Sequence, residues 1–181
     1  MNYKLNEKIK SGDDFSTIQK IAFDSRRSTV ISFLNPFSYY EVSREPSLVT
    51  DIDYFFSDGS LLCIMHNLFL PKITRASFDY SSIAEDFLLE SQAQNKRVAI
   101  IGATQQENEI AVKVLEQQFS SLNVVYQRSG YIEDSAKAIN ELNTVKPNVI
   151  IVGMGTPYQE RFAISLKDQL NLPATIITCG G

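Results

Sequence analysis

The sequence predicts an α/β fold: a Rossmann-like, mostly parallel sheet with helices on both faces. Two observations carry this expectation. Short apolar runs rich in β-branched residues alternate with longer segments at helical spacing, and several of the runs are apolar on both faces, as strands buried between helical layers are. No repeat, low-complexity tract or Pro/Gly/Ser linker divides the 181 residues. Residues 1–181 therefore read as one domain, with a division into two lobes, if any, near Pro71.

In chain order, a helix is expected over 14–24, then the strand "TVISF" (29–33), a helix over 36–44 and the strand "DYFFS" (53–57). Helices over 59–70 and 80–94 lead to the strand "RVAIIG" (97–102), which feeds a helix over 105–119. The strand "NVVY" (123–126), a helix over 134–144, the strand "NVIIVG" (148–153) and a helix over 157–170 follow. The last strand, "ATIIT" (174–178), runs into a glycine turn where a doubly wound fold normally adds another helix, so the chain reads as cut short.

Composition narrows the function classes. With 44% hydrophobic and 21% charged residues the chain is globular, and a net charge of −4 argues against generic nucleic-acid binding, which relies on basic surfaces. Cys63 and Cys179 are too few and too far apart for a disulfide framework, and no Cys/His spacing suits zinc, so a reducing, cytoplasmic setting is expected. The polar N-terminus lacks the apolar stretch of a secretory signal. The most apolar window, "LLCIMHNLFLP", is interrupted by His66 and Asn67 and is shorter than the roughly 20 residues that span a bilayer.

Ligands of open α/β sheets bind beyond the carboxyl ends of the strands, which directs attention to the turns there. In "GMGTPYQE" Thr156 and Pro157 read as a helix start, with Thr156 as cap, Pro157 in the first helical position and Gln159 reaching back as in a capping box. The same geometry offers backbone N–H groups to a diphosphate. Glu160 would repel a phosphate there, so a functional Glu160 is expected to grip a sugar hydroxyl. "IGATQ" lacks the dinucleotide glycine pattern, which weakens a nicotinamide oxidoreductase reading, and is expected to be a turn through Thr104 into the next helix. Asp51 and Asp53 imitate a metal-binding Asp-x-Asp but precede their strand, and read as solvated charges. Asp58, directly after an apolar strand and before Gly59, is either a helix cap or a base in a cleft. Arg75 is either a solvated charge or an anion contact, and His66 lacks any partner nearby in sequence.

Taken together in order, "NPF" at Asn35, "FFSDGSLL", "TRASFD", "RVAIIGAT", "SGYIED" and above all "IIVGMGTPYQERF" resemble the WecG/TagA/CpsF glycosyltransferases across most of the chain. The resemblance implies transfer of a sugar such as ManNAc, ManNAcA or glucose from a UDP-sugar to a sugar on undecaprenyl diphosphate, with inversion, in surface polysaccharide assembly. It implies neither metal nor cofactor, and a place on the cytoplasmic face of the membrane, reached through a C-terminal segment beyond Gly181. Asp58 matches the catalytic base, whose role would rest on positioning and on acquiring the proton as the new bond forms. Asn35, Gly59, Arg75, Thr104, Tyr131, Gly153, Gly155, Gln159 and Glu160 match substrate-binding positions. The chain departs from the pattern at Phe33, where threonine is common, and at Phe78, where glycine is. A degenerate sugar-nucleotide-binding domain is the alternative reading, and an open sheet edge would favour self-association.

Overall fold

The computed structural model describes residues 2–179; the glycine turn expected at 180–181 lies outside the described residues. The strands are β1 (Ile9–Lys10), β2 (Thr29–Leu34), β3 (Tyr54–Ser57), β4 (Arg97–Gly102), β5 (Asn123–Arg128), β6 (Val149–Gly153) and β7 (Thr175–Thr178). The helices are α1 (Tyr3–Lys8), α2 (Phe15–Phe23), α3 (Pro36–Ser43), α4 (Pro46–Asp51), α5 (Ser60–Asn67), α6 (Ala84–Ala93), α7 (Gln105–Gln118), α8 (Ser135–Val145) and α9 (Tyr158–Gln169). The strands form one sheet in the order β1-β3-β2-β7-β6-β4-β5, and every pair is parallel.

The period of two along the central strands divides the core into two layers. Val30, Leu34, Ala99, Ile101, Ile150, Val152 and Ile176 point toward residues of α1, α3, α4, α5, α8 and α9. Their alternates Ile31, Phe33, Val98, Ile100, Val149, Ile151 and Ile177 face α2, α6 and α7. Both faces of these strands are buried, which is why their sequences read as unbroken apolar runs. Phe33 and Phe78 meet on the second layer, their ring centroids 6.2 Å apart, within a group that includes Phe15, Phe56 and Phe87.

All six expected strands are present. The last of them, β7, is central rather than an edge: it joins β2 to β6 and so ties the halves before and after Pro71 into one sheet. The edges are β1 and β5. From β4 the chain crosses to β5 on one side, and from β6 to β7 on the other, so the crevice between the carboxyl ends of β4 and β6 is a topological switch point. No helix among the described residues is long and apolar enough to cross a membrane.

Candidate active site

A pocket of about 410 Å³ opens at this switch point, lined by Ala103, Gly130, Tyr131, Ile132, Gly153, Met154 and Tyr158. The loops after β4, β5 and β6 come together here because two glycines and a left-handed alanine allow it. A Cβ on Gly102 would sit 2.5 Å from the Gly153 carbonyl oxygen, and one on Gly130 would sit 3.0 Å from Gly102 Cα. Ala103 has φ of 53° and is held there by its neighbours. Its N–H donates to Gly153 O at 3.2 Å, and its carbonyl accepts from Gly130 N at 2.9 Å and from Ser129 Oγ at 3.0 Å.

Helix α7 starts at Gln105 as expected, behind a capping box in which Glu107 N donates to Thr104 Oγ1 and Thr104 N donates to Glu107 Oε2. Helix α9 starts differently from expectation. Thr156–Pro157 is a cis peptide, Pro157 occupies the cap position and the helix begins at Tyr158, with no side-chain cap. The N–H of Gln159 is satisfied by the Gly155 carbonyl at 3.0 Å, so no hydroxyl is needed for it. Thr156 instead turns its hydroxyl inward to Glu160 Oε1 at 3.3 Å.

Gln159 and Glu160 lie beneath this loop, 1% and 0% exposed. Gln159 is not part of a capping box: its Nε2 donates to Cys179 O at 2.8 Å and to Glu160 Oε1 at 3.0 Å. Glu160 Oε1 also accepts from Ser32 Oγ at 3.0 Å, and Ser32 Oγ accepts from Thr178 Oγ1 at 3.0 Å. Two polar residues on neighbouring strands, both facing the α9 layer, thus anchor the loop after β6 to β2 and β7. Burial pushes the Glu160 carboxyl above its ordinary pKa, against the opposing effect of hydrogen bonds from Gln159, Ser32 and Thr156. Gln159 Oε1 and Glu160 Oε2 have no hydrogen-bond partner among the described residues.

A second polar corner forms at the carboxyl ends of β2 and β3. Asp58 follows β3 and its N–H donates to Leu34 O at 2.9 Å, but it does not cap α5, whose cap position is Gly59. The Asp58 carboxylate is one-fifth exposed and lies 3.6 Å from the Arg75 guanidinium. Arg75 is fixed from two sides: its Nε donates to Asp58 O at 2.6 Å and its Nη2 to Asp79 Oδ2 at 2.9 Å. Asp79 is a firm anchor, since hydrogen bonds from Ser77, Ser81 and Arg75 bring its carboxyl down to about 2. Asn35 closes the corner and caps α3 in a box with Ser38. A Cβ on Gly59 would meet Pro36 and Asn35 at 3.6 to 3.9 Å, so the starts of α3 and α5 abut.

A family model described as "Glycosyl transferase WecG/TagA/CpsF family" matches residues 6–181. The chain belongs to this family. A UDP-Gal:alpha-D-GlcNAc-diphosphoundecaprenol beta-1,4-galactosyltransferase of Shigella boydii is 35% identical over 167 residues, covering 91% of this chain and 70% of the relative. An N-acetylglucosaminyldiphosphoundecaprenol N-acetyl-beta-D-mannosaminyltransferase of Bacillus subtilis is 19% identical, with 87% of this chain and 62% of the relative covered. The enzyme of the same description from Staphylococcus aureus is 25% identical, with 67% and 48% covered. The chain therefore spans between about half and 70% of the length of these relatives.

The site positions expected in this WecG/TagA/CpsF protein fall into three groups. Tyr131 and Gly153 line the pocket, and Thr104 and Gly155 belong to the loops that frame it. Asn35, Asp58, Gly59 and Arg75 share the corner at β2 and β3, while Gln159 and Glu160 are turned into the core beneath. Met154, Ile132 and Tyr158 line the pocket without having been singled out; their signal is adjacency to the strand-end glycines. One charge differs from expectation. Asp53 is not solvated: at the amino end of β3 it accepts from Val30 N at 2.8 Å and pairs with Lys167 Nζ at 2.8 Å. His66 is buried on the inner face of α5 beside a cavity of about 310 Å³, and neither ring nitrogen has a hydrogen-bond partner among the described residues.

Proposed function

We propose that this chain is the core of an inverting glycosyltransferase that moves a hexosyl group from a UDP-sugar to a GlcNAc-diphosphoundecaprenol acceptor, with Asp58 as base. The observation that carries the reading is the Asp58–Arg75 corner on the same rim of the sheet as the switch-point pocket, in a member of a glycosyltransferase family. The donor's diphosphate fits the pocket, where strand-end glycines expose backbone to a ligand and the start of α9 offers the positive end of its dipole. The acceptor hydroxyl attacks the anomeric carbon from the opposite face and Asp58 takes its proton as the new C–O bond forms. The bond from the anomeric carbon to UDP breaks and its electron pair leaves with UDP. A single displacement inverts the configuration. Arg75 stabilises negative charge at the corner. No step uses a metal, and Asp53, the nearest imitation of a metal ligand, is committed to Lys167 at the other end of the strand.

The test offers a panel of UDP-sugars, UDP-galactose first and UDP-ManNAc, UDP-ManNAcA and UDP-glucose after it, with a short-chain lipid-diphosphate-GlcNAc acceptor. Asp58→Asn is expected to lower transfer by about 10²- to 10⁴-fold while UDP binding, read by calorimetry, persists. Unchanged transfer would remove Asp58 from the chemistry. Absence of turnover with every donor, with UDP still bound, would favour a sugar-nucleotide-binding domain instead.

A further inference from the structure

We propose that Asp79 is a positioning residue for the transfer reaction: by holding one arm of the Arg75 guanidinium, it keeps Arg75 beside the Asp58 carboxylate without a hydrogen bond to it. The inference rests on the transferase reading above, in which Asp58 takes the acceptor's proton. A carboxylate with that task needs an oxygen left open to substrate. A guanidinium beside a carboxylate normally closes on it in charge-assisted hydrogen bonds of about 2.7–2.9 Å. Here it does not. Arg75 Nη2 stands 3.6 Å from Asp58 Oδ1, beyond hydrogen-bonding distance, while the same nitrogen donates to Asp79 Oδ2 at 2.9 Å. No other cation among the described residues pairs with Asp58.

The rest of Arg75 is tied down. Its backbone is flanked by two hydrogen bonds, Ala76 N to Ser57 O and Gly12 N to Thr74 O, each 3.0 Å, and its Nε donates to the Asp58 carbonyl at 2.6 Å. What remains open is where Nη2 points, and Asp79 is built to take it. Asp79 Oδ1 accepts from the Ser81 N–H at 2.8 Å and the Ser81 hydroxyl at 2.6 Å, which leaves Oδ2 to the arginine. With hydrogen bonds from Ser77, Ser81 and Arg75 bringing its carboxyl down to about 2, the anchor stays ionised at neutral pH. Beside it the Phe78 ring packs edge-on to Phe87, centroids 5.4 Å apart, and so fastens the turn to the core. The four-residue spacing of Arg75 and Asp79 is not a helical pair, because α6 begins only at Ala84.

The test is Asp79→Asn. The side-chain oxygen of the variant can keep both Ser81 contacts, so the turn persists, and an NH2 group then faces Arg75 donor to donor. Nη2 is expected to swing to Asp58, which a crystal structure of the variant reads directly as a separation from Asp58 Oδ1 of about 3 Å. With the UDP-sugar that supports transfer and a short-chain lipid-diphosphate-GlcNAc acceptor, kcat is expected to fall about tenfold or more, while KM for both substrates stays within about twofold and circular dichroism is unchanged. Because Asp79 acts through Arg75, the same substitution in an Arg75→Ala background is expected to change kcat by less than about twofold. Asp79→Glu, which keeps the charge, is expected to recover most of the rate, and it carries the test should the asparagine variant not fold. Arg75 found in its wild-type place in the variant crystal, a wild-type kcat, or an equal loss in both backgrounds would overturn the proposal, as would a loss of about tenfold in the glutamate variant. Failure of transfer with every donor, or unchanged transfer by Asp58→Asn, with Nη2 found on Asp58 in the Asp79→Asn crystal, would sink the transferase reading while upholding Asp79 as the anchor of Arg75.

Discussion

Glu160 shows how much of this site depends on one side chain that no ligand need touch. Its carboxyl is fully buried, and burial favours the neutral form, so its pKa in the fold lies above the unfolded value of about 4.3. The sign follows from linkage. The favourable contribution of the neutral group is fully present below the unfolded pKa and is lost as pH rises through the folded one. Glu160→Gln keeps the shape and removes the ionisation. Its stability relative to wild type is therefore expected to rise as pH increases above about 4 and to level off once wild-type Glu160 is ionised in the fold. Urea midpoints measured across pH check this, and a difference that does not vary with pH would contradict it. Nothing local announces this role, since the hydroxyl of Ser32 that contacts Glu160 is 128 residues away in sequence. The position of Asp58, by contrast, was readable because a carboxylate at the end of an apolar strand is a local pattern.

At the scale of elements, the same divide separates what was legible from what was not. Strands buried on both faces announce themselves as apolar runs, and α7 announces its start through Thr104 and Glu107. The two-residue β1 and the six-residue α1 and α4 carry too few positions to show a period, and only their tertiary neighbours define them. Helix α6 begins at Ala84 rather than near Tyr80 because Asp79 accepts from the Ser81 N–H and hydroxyl, which spends the intervening residues on a turn. The loops after β4 and β6 are the elements on which the pocket depends, and Gly102 is where they are closest. Gly102→Ala would place a methyl 2.5 Å from the Gly153 carbonyl oxygen, and backbone rather than a flexible side chain would have to move. Its expected cost is about 1–3 kcal/mol of stability, read by urea denaturation, with UDP affinity falling as the loops separate. An alanine variant with wild-type stability and UDP affinity would show that the close approach is not needed.

Across the whole molecule, the proposed transfer reaction would have its two halves at different places on one rim. The pocket lies at the β4–β6 crevice, and Asp58 follows β3 on the far side of β7 and β2. Three strand spacings separate β6 from β3, about 14 Å. An extended nucleotide diphosphate reaching from the pocket toward β2 would carry its sugar in the direction of Asp58, over the loop that Gln159 and Glu160 hold down. This order predicts a footprint. UDP alone is expected to slow amide exchange in the loops over 102–105, 129–132 and 153–159 and to leave α5 unchanged. A short-chain lipid-diphosphate-GlcNAc acceptor is expected to add protection near Asp58, Gly59 and Arg75. Hydrogen exchange read by mass spectrometry separates the two. Protection by UDP confined to α5 and residues 72–79 would reverse the assignment, putting the donor at the β2–β3 corner and leaving the switch-point pocket to the acceptor.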